Sequence, residues 1–258
     1  MDIGLKDKRV LVTAGASGIG LSIARAFRQE GARVEVCDVD KAALTALSDS
    51  DPKIGRHVCD VADRAAVDRM MATALQRLGG LDVLVNNAGV AGPTGPVQRI
   101  DPEAWDRTLA VNITGMFNVT RLAVEPLKAG ANAAMINISS AAGRFGFPNR
   151  TPYAAAKWAV IGFTKTLSME LGDAGVRVNA ILPGSVAGKR IEAVYAAKAK
   201  EAGVTPEAFL KAALGAASIK QLVSPERVAS LAVFLASPLA EGLSGQAIGM
   251  DNDAQSLM

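Results

Sequence analysis

Apolar residues recur along this chain in short runs that alternate with longer stretches of helical periodicity. Lys8 to Thr13 (KRVLVT) is the first run, and Ile19 to Glu30 then sets Ile19, Ile23, Ala26 and Phe27 at helical spacing until Gly31 interrupts it. The same reading gives strands over Arg33 to Cys37, Ile54 to Cys59 and Leu81 to Val85, with helices over Lys41 to Leu47 and Asp63 to Leu78 between them. In the second half a long helix is expected around Glu103 to Leu127, then strand Ala133 to Ile138 and helix Thr151 to Leu171. Strand Val176 to Ile181, helix Pro225 to Leu235 and a last strand near Gln246 to Met250 complete the series. Such alternation predicts parallel strands joined by right-handed helical crossovers, both faces of the sheet being covered. The fold class expected is α/β: a single-domain, Rossmann-type, doubly wound parallel sheet of six or seven strands over residues 1–258.

In a sheet of this kind, ligands sit at the carboxyl ends of the strands, near the point where strand order reverses. There the segment LVTAGASGIG, residues 11–20, runs from the first strand through a glycine cluster straight into a helix. Bare backbone lets a pyrophosphate come close, and the helix that follows offers it free N–H groups and a positive dipole end. Asp38, 18 residues after Gly20 at the end of the second strand, is placed to accept hydrogen bonds from both adenosine ribose hydroxyls and to repel a 2′-phosphate. This points to NAD. Asp60, after the third strand, suits the adenine amino group or a plain turn.

Composition narrows the remaining classes. Half the residues are hydrophobic, 28 Lys and Arg face 25 Asp and Glu, and the net +3 is spread along the chain, which argues against a nucleic-acid partner. Met1 to Arg9 has neither a signal-peptide core nor a membrane span, so a cytoplasmic protein without membrane attachment is expected. Cys37 and Cys59 read as two small buried side chains at strand ends in preference to a redox pair. His57 is the single histidine, and no metal site is assigned.

Beyond the turn at Thr13 to Gly20, the strings NNAG (86–89), VNITG (111–115), NISS (137–140), YAAAK (153–157) and LPGSV (182–186) follow in order. On these residues, essentially the whole chain resembles the short-chain dehydrogenase/reductase family, whose turn pattern is TGxxxGxG. One departure is visible: Ala14 stands where the pattern has its first glycine, with Gly15 next to it. The cofactor-binding set read this way is Gly15, Ser17, Gly18, Ile19, Gly20, Asp38, Asp60, Val61, Asn87, Ala88, Gly89, Tyr153, Lys157, Pro183, Gly184 and Val186. Asn87 also reads as a brace for the central sheet. The resemblance puts backbone contacts from Pro183 to Val186 on the nicotinamide carboxamide, and implies transfer at its pro-S face.

Tyr153 and Lys157 lie four apart near a helix start and so project from one face. A phenol, with a pKa of about 10, is a poor base near neutrality. A neighbouring ammonium, together with the charge of an oxidised nicotinamide, favours the phenolate. Ser140, 13 residues before Tyr153 at the end of the fifth strand, can hydrogen-bond a substrate oxygen. The resemblance implies that Lys157 also holds the nicotinamide ribose, and that Asn112 is a fourth catalytic position supporting a proton-relaying water. The expected reaction is hydride transfer between the nicotinamide and a secondary alcohol or ketone. A 3-oxoacyl-thioester reductase fits the motifs equally, although Asp38 speaks against the phosphorylated cofactor usual there. A non-catalytic dinucleotide sensor would not need Ser140, Tyr153 and Lys157 together.

Between Gly184 and Ser224, an Ala-rich helical insert (185–224) corresponds to the segment that closes over substrate in the family. Its Lys189, Arg190, Lys198, Lys200, Lys211 and Lys220 outnumber Glu192, Glu201 and Glu207, as either a solvated face or an anion site. Arg144 and Arg150 flank the catalytic strings and are expected at the pocket mouth, pairing with a negative substrate group. DAQSLM is an apolar end at a terminus that would otherwise fray, and the resemblance implies a homotetramer or homodimer in which the long helices Glu103 to Leu127 and Thr151 to Leu171 pack across two-fold axes.

Overall fold

The computed structural model describes residues 3–257. Seven parallel strands form one sheet in the order β3-β2-β1-β4-β5-β6-β7. They are β1 (Arg9–Thr13), β2 (Arg33–Asp38), β3 (Gly55–Val58), β4 (Val83–Asn86), β5 (Ala134–Ile138), β6 (Arg177–Pro183) and β7 (Ala247–Met250). Strand order reverses between β1 and β4, where a crevice opens beyond the carboxyl ends of both strands.

Side-chain alternation divides the core in two. Val10, Val12, Val34, Val36, Val83 and Val85 turn to one face, under α1 (Gly18–Gln29), α2 (Lys41–Ser50) and α9 (Pro225–Ala236). Leu11, Leu84, Met135 and Val178 turn to the other, against α3 (Arg64–Leu78), α5 (Gly115–Lys128) and α6 (Thr151–Leu171). With both faces covered, the strands read as continuous apolar runs. Polar ties fix the strand ends: Asp82 accepts from the Arg9 backbone N–H and Nε at 2.9 Å each, joining β1 to the entry of β4. Cys37 and Cys59 are buried free thiols.

The long helix expected over Glu103 to Leu127 is not regular. It consists of α4 (Pro102–Leu109) and α5 joined by a π-helical segment, Ala110–Thr114. The apolar spacing continues through the segment, so the widened turn leaves no mark in the pattern. Its effect is to aim Asn112 inward.

The insert folds as α7 (Lys189–Ala202) and α8 (Pro206–Gly215), packed through a small cluster of Tyr195, Ala199 and Phe209. The tail returns to it: Ser218 and Ile219 N–H groups donate to the Asp253 and Asn252 carbonyls, and the Gln255 N–H donates to Ala216. The chain end before residue 258 is therefore laid along the insert and reaches the cleft through Ser256 and Leu257. Met258 lies outside the described residues.

Candidate active site

The crevice at the switch point is a cleft of about 860 Å³. One wall is the glycine turn and the β2 end, the floor is formed by residues 87–91 and 138–141, and the roof is the insert with the tail.

The turn after β1 is built for close approach. A Cβ on Gly20 would fall on the Ala14 carbonyl and 2.5 Å from Asn87 Nδ2. Ala14 itself takes a left-handed conformation, φ 49°, so the chain keeps the geometry of a glycine there at a cost of about 1–2 kcal/mol. Ser17 caps α1 through its backbone only, and no acidic residue occupies the first turn, leaving the positive helix end toward the cleft. Asn87 Nδ2 donates to both the Thr13 and Ala14 carbonyls at 3.0 Å, and Thr13 Oγ1 accepts from the N–H groups of Asn87 and Ala88. Asn87 thus braces the turn while lining the cleft beside Ala88 and Gly89.

Asp38 is buried at the strand end. One carboxylate oxygen accepts from Ala16 N–H and the other from Asp40 N–H, each at 3.1 Å. Each oxygen keeps a lone pair for a ligand in the cleft. Asp60 also lines the cleft, but one of its oxygens closes a turn onto Ala62 N–H and the other pairs with Arg107 at 2.8 Å. Arg107 is a lining residue that the sequence reading did not select. Ser17, Gly18, Ile19, Val61, Pro183, Gly184 and Val186 line the same cleft, whereas Gly15 packs behind the turn, its bare Cα against Val36.

At the other end, α6 brings Tyr153 and Lys157 together, the Lys157 Nζ 5.7 Å from the Tyr153 ring centre. Lys157 is buried, donates to the Ile138 carbonyl at 2.9 Å, and has its own carbonyl held by Ser139 Oγ. Burial lowers the Lys157 pKa to about 8, against a partial upward pull from Tyr153; the Arg190 charge lowers it further. For Tyr153, burial pushes upward, but Lys157, Arg190, the hydrogen bond from Ser140 and Arg150 together outweigh it, and the net pKa is lowered. Asn112, fully buried in the π segment, donates to the Val90 and Thr108 carbonyls at 3.0 and 2.8 Å. Its Oδ1 has no hydrogen-bond partner among the described residues. That oxygen would lie 2.6 Å from a Cβ on Gly89, and Lys157 Nζ 3.5 Å from the same point, so both face one small space.

The two arginines expected at the mouth differ from that expectation. Arg144 does not line the cleft; it pairs with Asp251 at 2.8 Å and stacks on Phe145. Arg150 lines it from within, only 2% exposed, with its terminal nitrogens donating to Thr94 Oγ1 and the Ala91 carbonyl. Those partners lie more than fifty residues earlier in the chain, which is why sequence spacing suggested a surface position. Arg190, from the first turn of α7, reaches across to the Gly89 carbonyl at 3.1 Å. Sequence inspection gave it only as one of several cations in the insert.

The residues present fit a nicotinamide dinucleotide: a glycine turn facing the cleft through Ser17, Gly18 and Ile19, an open helix end, an acceptor carboxylate at one end and, among the described residues, an unpartnered amide oxygen beside a buried amine at the other. Comparison with known proteins shows what the whole chain is similar to. Residues 13–252 match a family model described as enoyl-(acyl carrier protein) reductase. A 3-oxoacyl-[acyl-carrier-protein] reductase from Thermotoga maritima is 37% identical over 251 residues, 96% of this chain and 97% of the relative. The crystal structure of an actinorhodin polyketide ketoreductase with NADPH superposes with a TM-score of 0.89 at 33% identity, covering 95% of this chain and 97% of that one. An NAD+-bound xylitol dehydrogenase gives 0.92 at 27%, covering 96% and 99%.

Proposed function

This chain belongs to the short-chain dehydrogenase/reductase family, and we propose that it is an NAD(H)-dependent enzyme interconverting a secondary alcohol and a ketone, with Tyr153 as acid and base. That it is an oxidoreductase acting on CH–OH groups follows from its relatives; the cofactor choice and residue roles are our reading. The observation that carries it is that Ser140, Tyr153 and Lys157 line the same cleft as the glycine turn, with the buried Asn112 Oδ1 directly behind Gly89 of its floor.

When bound, the nicotinamide supplies the hydride acceptor or donor. Ser17, Gly18 and Ile19, which line the cleft, would hold its pyrophosphate, with Gly20 packed behind them on Ala14 and Asn87; Asp38 would hold the adenosine ribose and Lys157 the nicotinamide ribose. Ser140 donates to the substrate oxygen and holds it beside the Tyr153 hydroxyl. In oxidation the Tyr153 phenolate takes the hydroxyl proton; in reduction the phenol returns it. Lys157 keeps the phenolate accessible near neutrality, and Asn112 Oδ1 anchors a water through which Lys157 exchanges its proton with solvent. Because Asp38 is, among the described residues, the only carboxylate lining the adenosine end that is not paired with an arginine, NAD(H) is preferred to NADP(H).

A 3-oxoacyl-thioester reductase is the second reading, favoured by the Thermotoga relative. The proposal includes a homodimer or homotetramer, since Phe117 on α5 and Trp158 and Met169 on α6 stay exposed along two long helices. Two buried free thiols accord with a reducing, cytoplasmic compartment. Among the described residues no helix is long and apolar enough to cross a membrane.

The test is a panel of alcohols, ketones and 3-oxoacyl thioesters with NAD(H) and NADP(H), followed at the nicotinamide absorbance band. Tyr153→Phe should cut turnover by about 10²–10⁴-fold, the usual contribution of a positioned acid or base, while the variant still melts like the parent and still binds NADH. Near-parental turnover in that variant rejects the mechanism.

A further inference from the structure

Charge is divided along the cleft. At the adenosine end stand Asp38 and the mutually paired Asp60 and Arg107, whereas around Tyr153 the lining is cationic, through Arg150, Lys157, Lys189 and Arg190. Asp251, the one carboxylate lining that end, is engaged by Arg144.

Two of these cations stand close to the reacting position. The Arg150 guanidinium carbon is 5.4 Å from the Tyr153 ring centre and that of Arg190 is 5.9 Å. Among the described residues neither is paired with a carboxylate. Arg150 is buried, and its two terminal nitrogens meet only neutral acceptors, while its Nε is unpartnered. A buried cation without a counter-ion is unfavourable, and an anion entering the cleft would relieve it. Arg190 is tied by one nitrogen to Gly89, leaving the rest of its fork for a ligand.

Resting on the oxidoreductase reading above, we propose that Arg150 and Arg190 form a seat for a carboxylate, and that the substrate is a short hydroxy or oxo acid. The shortness follows from the distances. An anion between two groups less than 6 Å from the Tyr153 ring lies within a few bonds of the carbon that reacts. A coenzyme or carrier phosphate, far down an acyl chain, does not reach this seat. Arg190 rides on the insert, so closing the insert completes it.

The experiment compares acetoacetate, its methyl ester and its coenzyme A thioester in the parent, Arg190→Gln, Arg190→Lys and Arg150→Gln. The parent should favour the acid over the ester by at least tenfold in kcat/KM. Arg190→Gln should bring that ratio near one, mainly through KM of the acid, and Arg190→Lys should restore part of it. Losses in thioester turnover should match those of the ester. Arg150→Gln should act likewise if thermal melting shows it folded; if it does not fold, the Arg190 pair carries the test. A parent ratio near one, or equal slowing of acid and ester in Arg190→Gln, overturns the seat and leaves the oxidoreductase reading standing. If no compound is turned over, calorimetric binding of acetoacetate that is lost in Arg190→Gln upholds the seat and shows that the reacting carbon stands elsewhere than the keto carbon these probes share. Absence of that binding overturns the seat.

Discussion

Replacing Asp38 should affect cofactor choice and stability together, because its carboxylate faces both ways. Toward the cleft it would meet the adenosine ribose. At 4 Å and an effective dielectric of about 20, a carboxylate and one phosphate charge repel by about 4 kcal/mol. Since about 1.4 kcal/mol is tenfold, the parent should favour NAD(H) over NADP(H) by roughly two to three orders of magnitude in kcat/KM at low salt. Toward the protein, the two oxygens accept the Ala16 and Asp40 N–H groups at 3.1 Å each. Hydrogen bonds to charged groups contribute about 1.5–3 kcal/mol apiece, and Asp40 N–H, nearer the surface, can turn to water. Asp38→Ala should therefore cost about 3 kcal/mol, lowering Tm by roughly 6–12 °C for a chain of this size. The glycine turn, no longer tied through Ala16, should bind both cofactors more weakly while the preference falls below tenfold. Steady-state kinetics with both cofactors at fixed ionic strength, beside a thermal melt, reads both effects. A parent indifferent to the 2′-phosphate refutes the electrostatic argument, and an Asp38→Ala variant that melts with the parent refutes the structural one.

Three further outcomes follow from the geometry. Gly20→Ala places a methyl on the Ala14 carbonyl and Asn87, so NADH affinity measured by fluorescence titration should fall more than tenfold; unchanged affinity would show that the turn yields freely. Asn112→Leu, which removes the inward Oδ1, should lower kcat by one to two orders of magnitude with KM little changed, and a purely structural role would instead lower Tm alone. Lys157 titrates at about 8 in the folded chain and near 10.5 unfolded. Between those values the unfolded chain binds more protons, so the contribution of Lys157 to stability should rise with pH from 8 to 10.5. Denaturant melts of the parent and Lys157→Met over that window should diverge in favour of the parent, and the reverse slope would reject a depressed lysine.

The central strands were legible because they are buried on both faces, which leaves short apolar runs such as Val10 to Val12 and Val83 to Val85, whereas the edge strands Gly55–Val58 and Ala247–Met250 are partly exposed. Boundaries erred where pairing decides them: the run from Ile54 to Cys59 contributes only Gly55–Val58 to the sheet. The π segment around Asn112 was not legible, since one extra residue in a turn does not interrupt the apolar spacing of Val111, Val119 and Ala123. The buried setting of Arg150 was equally hidden, its acceptors at Ala91 and Thr94 being neighbours only after β4 and α6 are assembled. Another polar group escaped notice for the same reason: Glu35 on β2 and His57 on β3, buried at 2.7 Å from each other with Arg77 beside them, come together through strand register. Ala14 shows the converse, a position where residue type points away from the left-handed conformation that the surrounding turn imposes.

The tail laid against residues 216–219 has a practical bearing on how the protein is handled. Ser256 and Leu257 stand at the cleft, so an affinity tag or fluorescent partner fused after residue 258 would start beside the entrance and pull on the segment that roofs it. Libraries that vary the insert for new substrates should vary residues 252–257 with it, because the two are one mechanical unit although residues 225–251, with a complete helix, separate them in the chain.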